Sequence, residues 1–116
     1  MLFQEFVKDQ VFSPVLIASA LRTTKSEIAG TLGLGRDAFS RTSRVRARKT
    51  QIRLRQMLEI LNRVEAETGS TLAAYAWFRS EPLAGFAGAT PDLLLRQGKA
   101  DQVHTYLDRI MAGGYA

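Results

Sequence analysis

The chain has no cysteine. That excludes a disulfide framework, a thiolate nucleophile and a cysteine metal site, and it suits a reducing compartment. Its one histidine, His104, has no second imidazole or thiol to complete a metal set, so it reads as a satisfied surface or half-buried side chain. Gly30, Gly33 and Gly35 are not followed by the Gly-Lys-Ser/Thr of a phosphate loop, and no serine stands in a Gly-x-Ser-x-Gly elbow. Glu65 and Glu67 are two apart on a helical pattern and so face different ways. The common catalytic constellations are missing, so the chain reads as a non-enzyme needing neither metal nor cofactor. No apolar run approaches the roughly 18 residues of a membrane span. Met1–Gln10 contains Glu5, Lys8 and Asp9, which leaves no signal-peptide core. A soluble, cytoplasmic protein with no membrane partner is expected. No segment alternates with period two, so no strand is expected.

Acidic residues are scarce in one place above all. Residues 22–55 hold ten basic side chains against Glu27 and Asp37, a net +8; the rest holds six basic and nine acidic, a net −3, which recovers the overall +5. Charge confined to one segment is the footprint of a phosphate-binding face.

Helix signals are plentiful. Ser13-Pro14 offers a cap and a first-turn proline ahead of Val15, Leu16, Ile17, Ala18 and Leu21. Thr24-Lys25-Ser26-Glu27 is a capping box, and Gly33 ends its short helix. Gly35 then caps a second helix, expected at about Arg36–Arg44. Leu54, Met57, Leu58, Leu61 and Val64 recur at helical spacing, with Arg55/Glu59 and Glu59/Arg63 expected to pair on the solvent side. Gly69-Ser70 separates this helix from the next, Thr71–Ser80. Thr90-Pro91-Asp92 starts another, ended by Gly98. The last is expected at about Asp101–Met111, burying Val103, Leu107, Ile110 and Met111. Met1–Phe12 has room for one extra helix.

Lys25–Arg44 fits a helix-turn-helix unit. Ile28, Leu32, Leu34 and Phe39 take the inward slots, Ala29 the close approach and Gly33 the turn; only Thr42, where an aliphatic residue is usual, departs. Arg36, Asp37, Ser40, Arg41 and Arg44 then face outward on the second helix, with Arg36, Ser40 and Arg41 toward base edges. Arg46, Arg48, Lys49 and Arg53 are the expected phosphate contacts. Operator DNA is the implied partner, and two-fold operators imply a homodimer. The seam is expected on the last two helices or at Leu2, Phe3, Phe6 and Val7.

Ala76-Trp77-Phe78, Pro82-Leu83 and Gly88-Ala89-Thr90-Pro91-Asp92-Leu93-Leu94 follow in that order. Then come Gly98, the helix of Val103, Leu107 and Ile110, and Gly114-Tyr115. This resembles the toxin-binding domain of the Xre/MbcA/ParS antitoxin family, with the upstream unit resembling the family's Xre-like half. Between Pro82 and Thr90 the stretch Leu-Ala-Gly-Phe-Ala-Gly-Ala is longer and richer in glycine than the family's usual step. The resemblance implies an all-α fold, a helix-turn-helix bundle over residues 13–69 followed by a small helical toxin-binding domain over 70–116. It implies an antitoxin of a type II toxin-antitoxin system that blocks a RES-like, NAD-consuming toxin and represses its own promoter. Trp77, Phe78, Pro82, Leu83 and Phe86 are then expected to form the docking surface. The tail Gly113, Gly114, Tyr115 and Ala116 suits insertion into a narrow cofactor cleft, a slim arm with one aromatic ring and a carboxylate. Two other readings use the same residues: a stand-alone helix-turn-helix repressor with a helical dimerisation domain, and a helical adaptor without DNA binding.

Overall fold

The computed structural model describes residues 1–113. They form seven helices: α1 (Pro14–Ala20), α2 (Lys25–Thr31), α3 (Thr42–Val45), α4 (Arg48–Thr68), α5 (Thr71–Ser80), α6 (Pro91–Arg96) and α7 (Ala100–Gly113). The fold is an all-α bundle with one small departure. Before α1, a 3-10 turn at Phe3–Phe6 leads into an antiparallel hairpin, β1 (Val7–Lys8) and β2 (Val11–Phe12), in register Val7 to Phe12 and Lys8 to Val11. The expectation of no strand is corrected, and the extra helix expected here is a single 3-10 turn. Asp9 and Gln10 adopt φ of 53° and 70°, the left-handed pair that reverses a tight hairpin. The free edge of β2 is closed by a side chain. Phe12 N–H donates to Gln51 Oε1 at 2.9 Å, and Gln51 Nε2 donates to the carbonyls of Phe12 (3.0 Å) and Val45 (2.8 Å). A carboxamide from α4 thus takes the place of a third strand.

The long helix α4 is the axis of the core. Leu54, Met57, Leu58, Ile60, Leu61 and Val64 are buried along it, as their helical spacing requires. One buried cluster runs from Ile17, Ile28 and Leu32 through α4 to Phe78, Leu95, Val103 and Leu107. Each such side chain contributes about 1.5–3 kcal/mol on leaving water. Ser13, Thr24 and Ser70 cap their helices, accepting from Leu16 N (3.3 Å), Glu27 N (3.1 Å) and Ala73 N (3.0 Å). Only half of the capping box forms, because the Glu27 carboxylate accepts from the Thr23 hydroxyl instead of reaching the Thr24 amide. Thr90 does not cap α6 with its side chain; Asp92 accepts from the Thr90 hydroxyl and from Leu93 N at 2.8 Å.

Three further expectations change. Arg36–Arg44 is not a continuous helix. Arg36–Phe39 is a turn, Arg41 is extended at φ −139°, and α3 begins only at Thr42. The cause is local competition for a carbonyl. In a helix Asp37 O would accept from Arg41 N; here it accepts from Ser40 N (3.1 Å) and from the Ser40 hydroxyl (2.8 Å). Ile110 is 46% exposed, on the outer side of α7. The Arg55/Glu59 and Glu59/Arg63 pairs do not form among the described residues; Arg63 turns toward α7 instead.

Candidate functional site

The segment between α5 and α6 is a closed loop. Leu83 N donates to Ala89 O at 2.9 Å, with Phe86 N to Leu83 O (3.2 Å) and Ala89 N to Phe86 O (3.0 Å) nested inside. Gly85, Ala87 and Gly88 all carry positive φ. Alanine pays a steric cost at φ 54° that glycine does not, so the loop holds strain at its tip. Phe86 stacks edge-on against Tyr106 of α7, with centroids 6.3 Å apart. Of the expected docking residues, Pro82 is exposed and Trp77 and Phe86 are half-buried. Phe78 and Leu83, at 0% and 2% exposure, are core side chains. They shape the loop's seat and have no surface to offer a partner, which corrects their reading as contacts. Tyr106 joins this rim although its sequence position carried no signal. Gly113 is the last residue of α7; Gly114, Tyr115 and Ala116 lie outside the described residues.

Behind the loop, a polar cluster joins α6 to the end of α2. Asp92 is buried and pairs with Arg96 at 3.1 Å. Arg96 also donates to Thr31 O at 3.2 Å. Its stem lies over Gly33, where a Cβ would come within 2.9 Å of Arg96 Cγ. Arg53 donates to Leu32 O (2.7 Å) and Arg96 O (3.3 Å), satisfying carbonyls at the ends of both short helices. It is therefore a capping residue and not the phosphate contact expected of it. The Tyr75 hydroxyl lies 3.4 Å from Thr31 Oγ1, with Arg79 5.3 Å above its ring. Burial pushes the Tyr75 phenol above its ordinary value, the Thr31 hydroxyl and the Arg79 charge opposing. On the far side of α4, Arg63 clamps α7 by donating to His104 Nδ1 (3.1 Å) and pairing with Asp108 (2.7 Å). A guanidinium only donates, so this imidazole nitrogen accepts and carries no proton.

The basic segment forms an open face around α3. Arg36, Asp37, Ser40, Arg41, Arg44, Arg46, Arg48 and Lys49 are all exposed. Arg36, Arg44 and Lys49 line one shallow concavity of about 300 Å³, and Arg41 and Arg46 border another of about 290 Å³. Arg46 also donates to Asp9 O at 3.0 Å, tying this face to the hairpin. Because α3 spans only Thr42–Val45, Arg36, Ser40 and Arg41 do not share one helix that could lie in a groove.

Residues 63–113 match the family model described as the antitoxin Xre/MbcA/ParS C-terminal toxin-binding domain. The match begins in the last turns of α4 and takes in α5, the closed loop, α6 and α7. Neither the curated proteins nor the solved structures gave a match.

Proposed function

We propose, from the membership of residues 63–113 in the Xre/MbcA/ParS antitoxin family through its toxin-binding domain, that this protein acts by binding. It holds a RES-like, NAD-consuming toxin in an inactive complex, and as a two-fold assembly it represses its own promoter. The observation that carries the reading is the family match over the segment holding the closed loop and its aromatic rim. Trp77, Pro82 and Phe86, with Tyr106, are the side chains available there to a partner. Aromatic and proline side chains on a rigid loop suit a partner surface, since little freedom is lost when they are covered. The tail Gly113–Ala116 is proposed as the element that enters the toxin's cofactor cleft.

DNA binding is proposed for the exposed face around α3. Its support is the +8 net charge of residues 22–55 and the exposure of Arg36, Arg41, Arg44, Arg46, Arg48 and Lys49. With no long recognition helix, these cations act first on phosphates. The stand-alone repressor is the reading to beat. Co-expression of the full chain with a RES-like toxin separates the two. The proposal expects one complex on gel filtration; two independent peaks favour the repressor.

A further inference from the structure

The exposed side of α4 is a regular stripe. Arg48, Ile52, Arg55, Glu59, Asn62 and Ala66 alternate in steps of four and three and all face solvent, which puts them on one face of the helix. The stripe is polarised, with Arg48 and Arg55 toward the helix start and Glu59 and Glu67 toward its end. Neither Arg55 nor Glu59 forms a salt bridge among the described residues. Beside the basic half lies an open groove of about 470 Å³, its apolar lining Val7, Val11, Phe12 and Ile52 and its polar lining Gln10, Gln51, Arg48 and Arg55. Ile52 is 41% exposed. Beside the acidic half, the Met1 nitrogen lies 3.5 Å from Asn62 Oδ1, and the adjoining Leu2 is 67% exposed.

We propose that this stripe is the two-fold seam between copies of the chain, with α4 antiparallel to α4. Centred at the level of Met57, the pairing sets Arg55 of each copy against Glu59 of the other, and Ile52 against Asn62. Leu2 of the second copy is carried toward the Val7, Val11, Phe12 and Ile52 groove, so each copy supplies both the plug and the socket. A parallel pairing would set arginine against arginine and is excluded by charge. A phosphate backbone could meet Arg48 and Arg55 in the groove, but it would also lie on exposed Ile52 and Val7 and meet Glu59, whereas a second copy offers Glu59 to Arg55 and Leu2 to the apolar lining. The inference rests on the two-fold assembly proposed above and names its surface.

The test is sedimentation of the full chain across low to high micromolar concentration, with circular dichroism confirming that each variant folds. Arg55→Glu should weaken the dimer roughly tenfold, as should Glu59→Arg, because each places two like-charge pairs in the seam. An equimolar mixture of the two variants should recover parental affinity, since every pair is again opposite in sign. Ile52→Asp should weaken the dimer, while Lys25→Glu on the basic face should not. A dimer indifferent to the two reversals, or a mixture no tighter than either variant alone, overturns the seam and leaves the two-fold reading standing. A parent that stays monomeric throughout overturns both. Complex formation with the toxin is read separately and is untouched by either result.

Discussion

Gly33 shows how one residue can serve two constraints. Its φ of +67° is one an L side chain adopts at a cost, and its missing Cβ leaves room for the Arg96 stem. Gly33→Ala should cost about 1–3 kcal/mol in urea unfolding, from backbone strain and the displaced arginine together. Gly69, at φ +85° with open space around it, isolates the backbone part, so Gly69→Ala should cost less. In an Arg96→Ala background the penalty at Gly33 should shrink toward that of Gly69, the sign of coupling in a double-mutant cycle. The glycine was legible as a helix stop from its place after Leu32. The arginine over it was not, because nothing in the two sequence neighbourhoods records that α6 crosses the end of α2. Tyr75 makes a second residue-scale prediction. Its folded pKa is raised above the ordinary value of 10.0, so the native state holds the proton more tightly than the unfolded chain. The associated stability is full below about pH 10 and is lost as pH rises through the folded pKa. Tyr75→Phe should flatten the alkaline limb of the stability profile measured by denaturant unfolding.

Among the elements, the punctuation that could be read was chemical. Ser13-Pro14, Thr24, Ser70 and Pro91-Asp92 mark helix starts because their side chains or fixed φ favour the first turn wherever it falls in the fold. Arg36–Arg44 misled because its inward residues have the right spacing while its polar ones favour turns. Leu34 is partly buried and Phe39 buried as expected, yet Ser40 takes the Asp37 carbonyl and breaks the helix between them. The hairpin was illegible for a different reason, since two-residue strands are too short to show a period. Its anchor, Gln51, is one polar residue on a helix with nothing in its neighbourhood to mark it. Gln51→Ala removes three hydrogen bonds to backbone carbonyls and an amide at once. It should cost about 1–3 kcal/mol, and amide exchange at Phe12 should speed up more than exchange in α5 or α7.

Over the whole molecule, positive charge gathers around α3, while the segment matched to the toxin-binding domain carries the closed loop and its aromatic rim. The docking candidates were half legible. The order of Trp77, Pro82, Phe86 and Thr90-Pro91 pointed to the segment that the family model matches, and burial divides Phe78 and Leu83 from the side chains that reach the surface. The basic face predicts salt-dependent DNA affinity. Lys49→Ala and Arg44→Ala should each flatten the plot of log affinity against log salt by about 0.9 for every phosphate no longer neutralised, alike on all sequences. The central claim is that this chain silences a protein toxin through residues 63–113. The most direct measurement is NAD consumption by the RES-like toxin proposed as its partner, titrated with the full chain and with a Trp77→Ala, Phe86→Ala variant whose fold is confirmed by circular dichroism. The account predicts that the full chain abolishes NAD consumption at a fixed stoichiometry and that the variant needs at least roughly tenfold more protein. Undiminished NAD consumption at saturating full-length chain would contradict it.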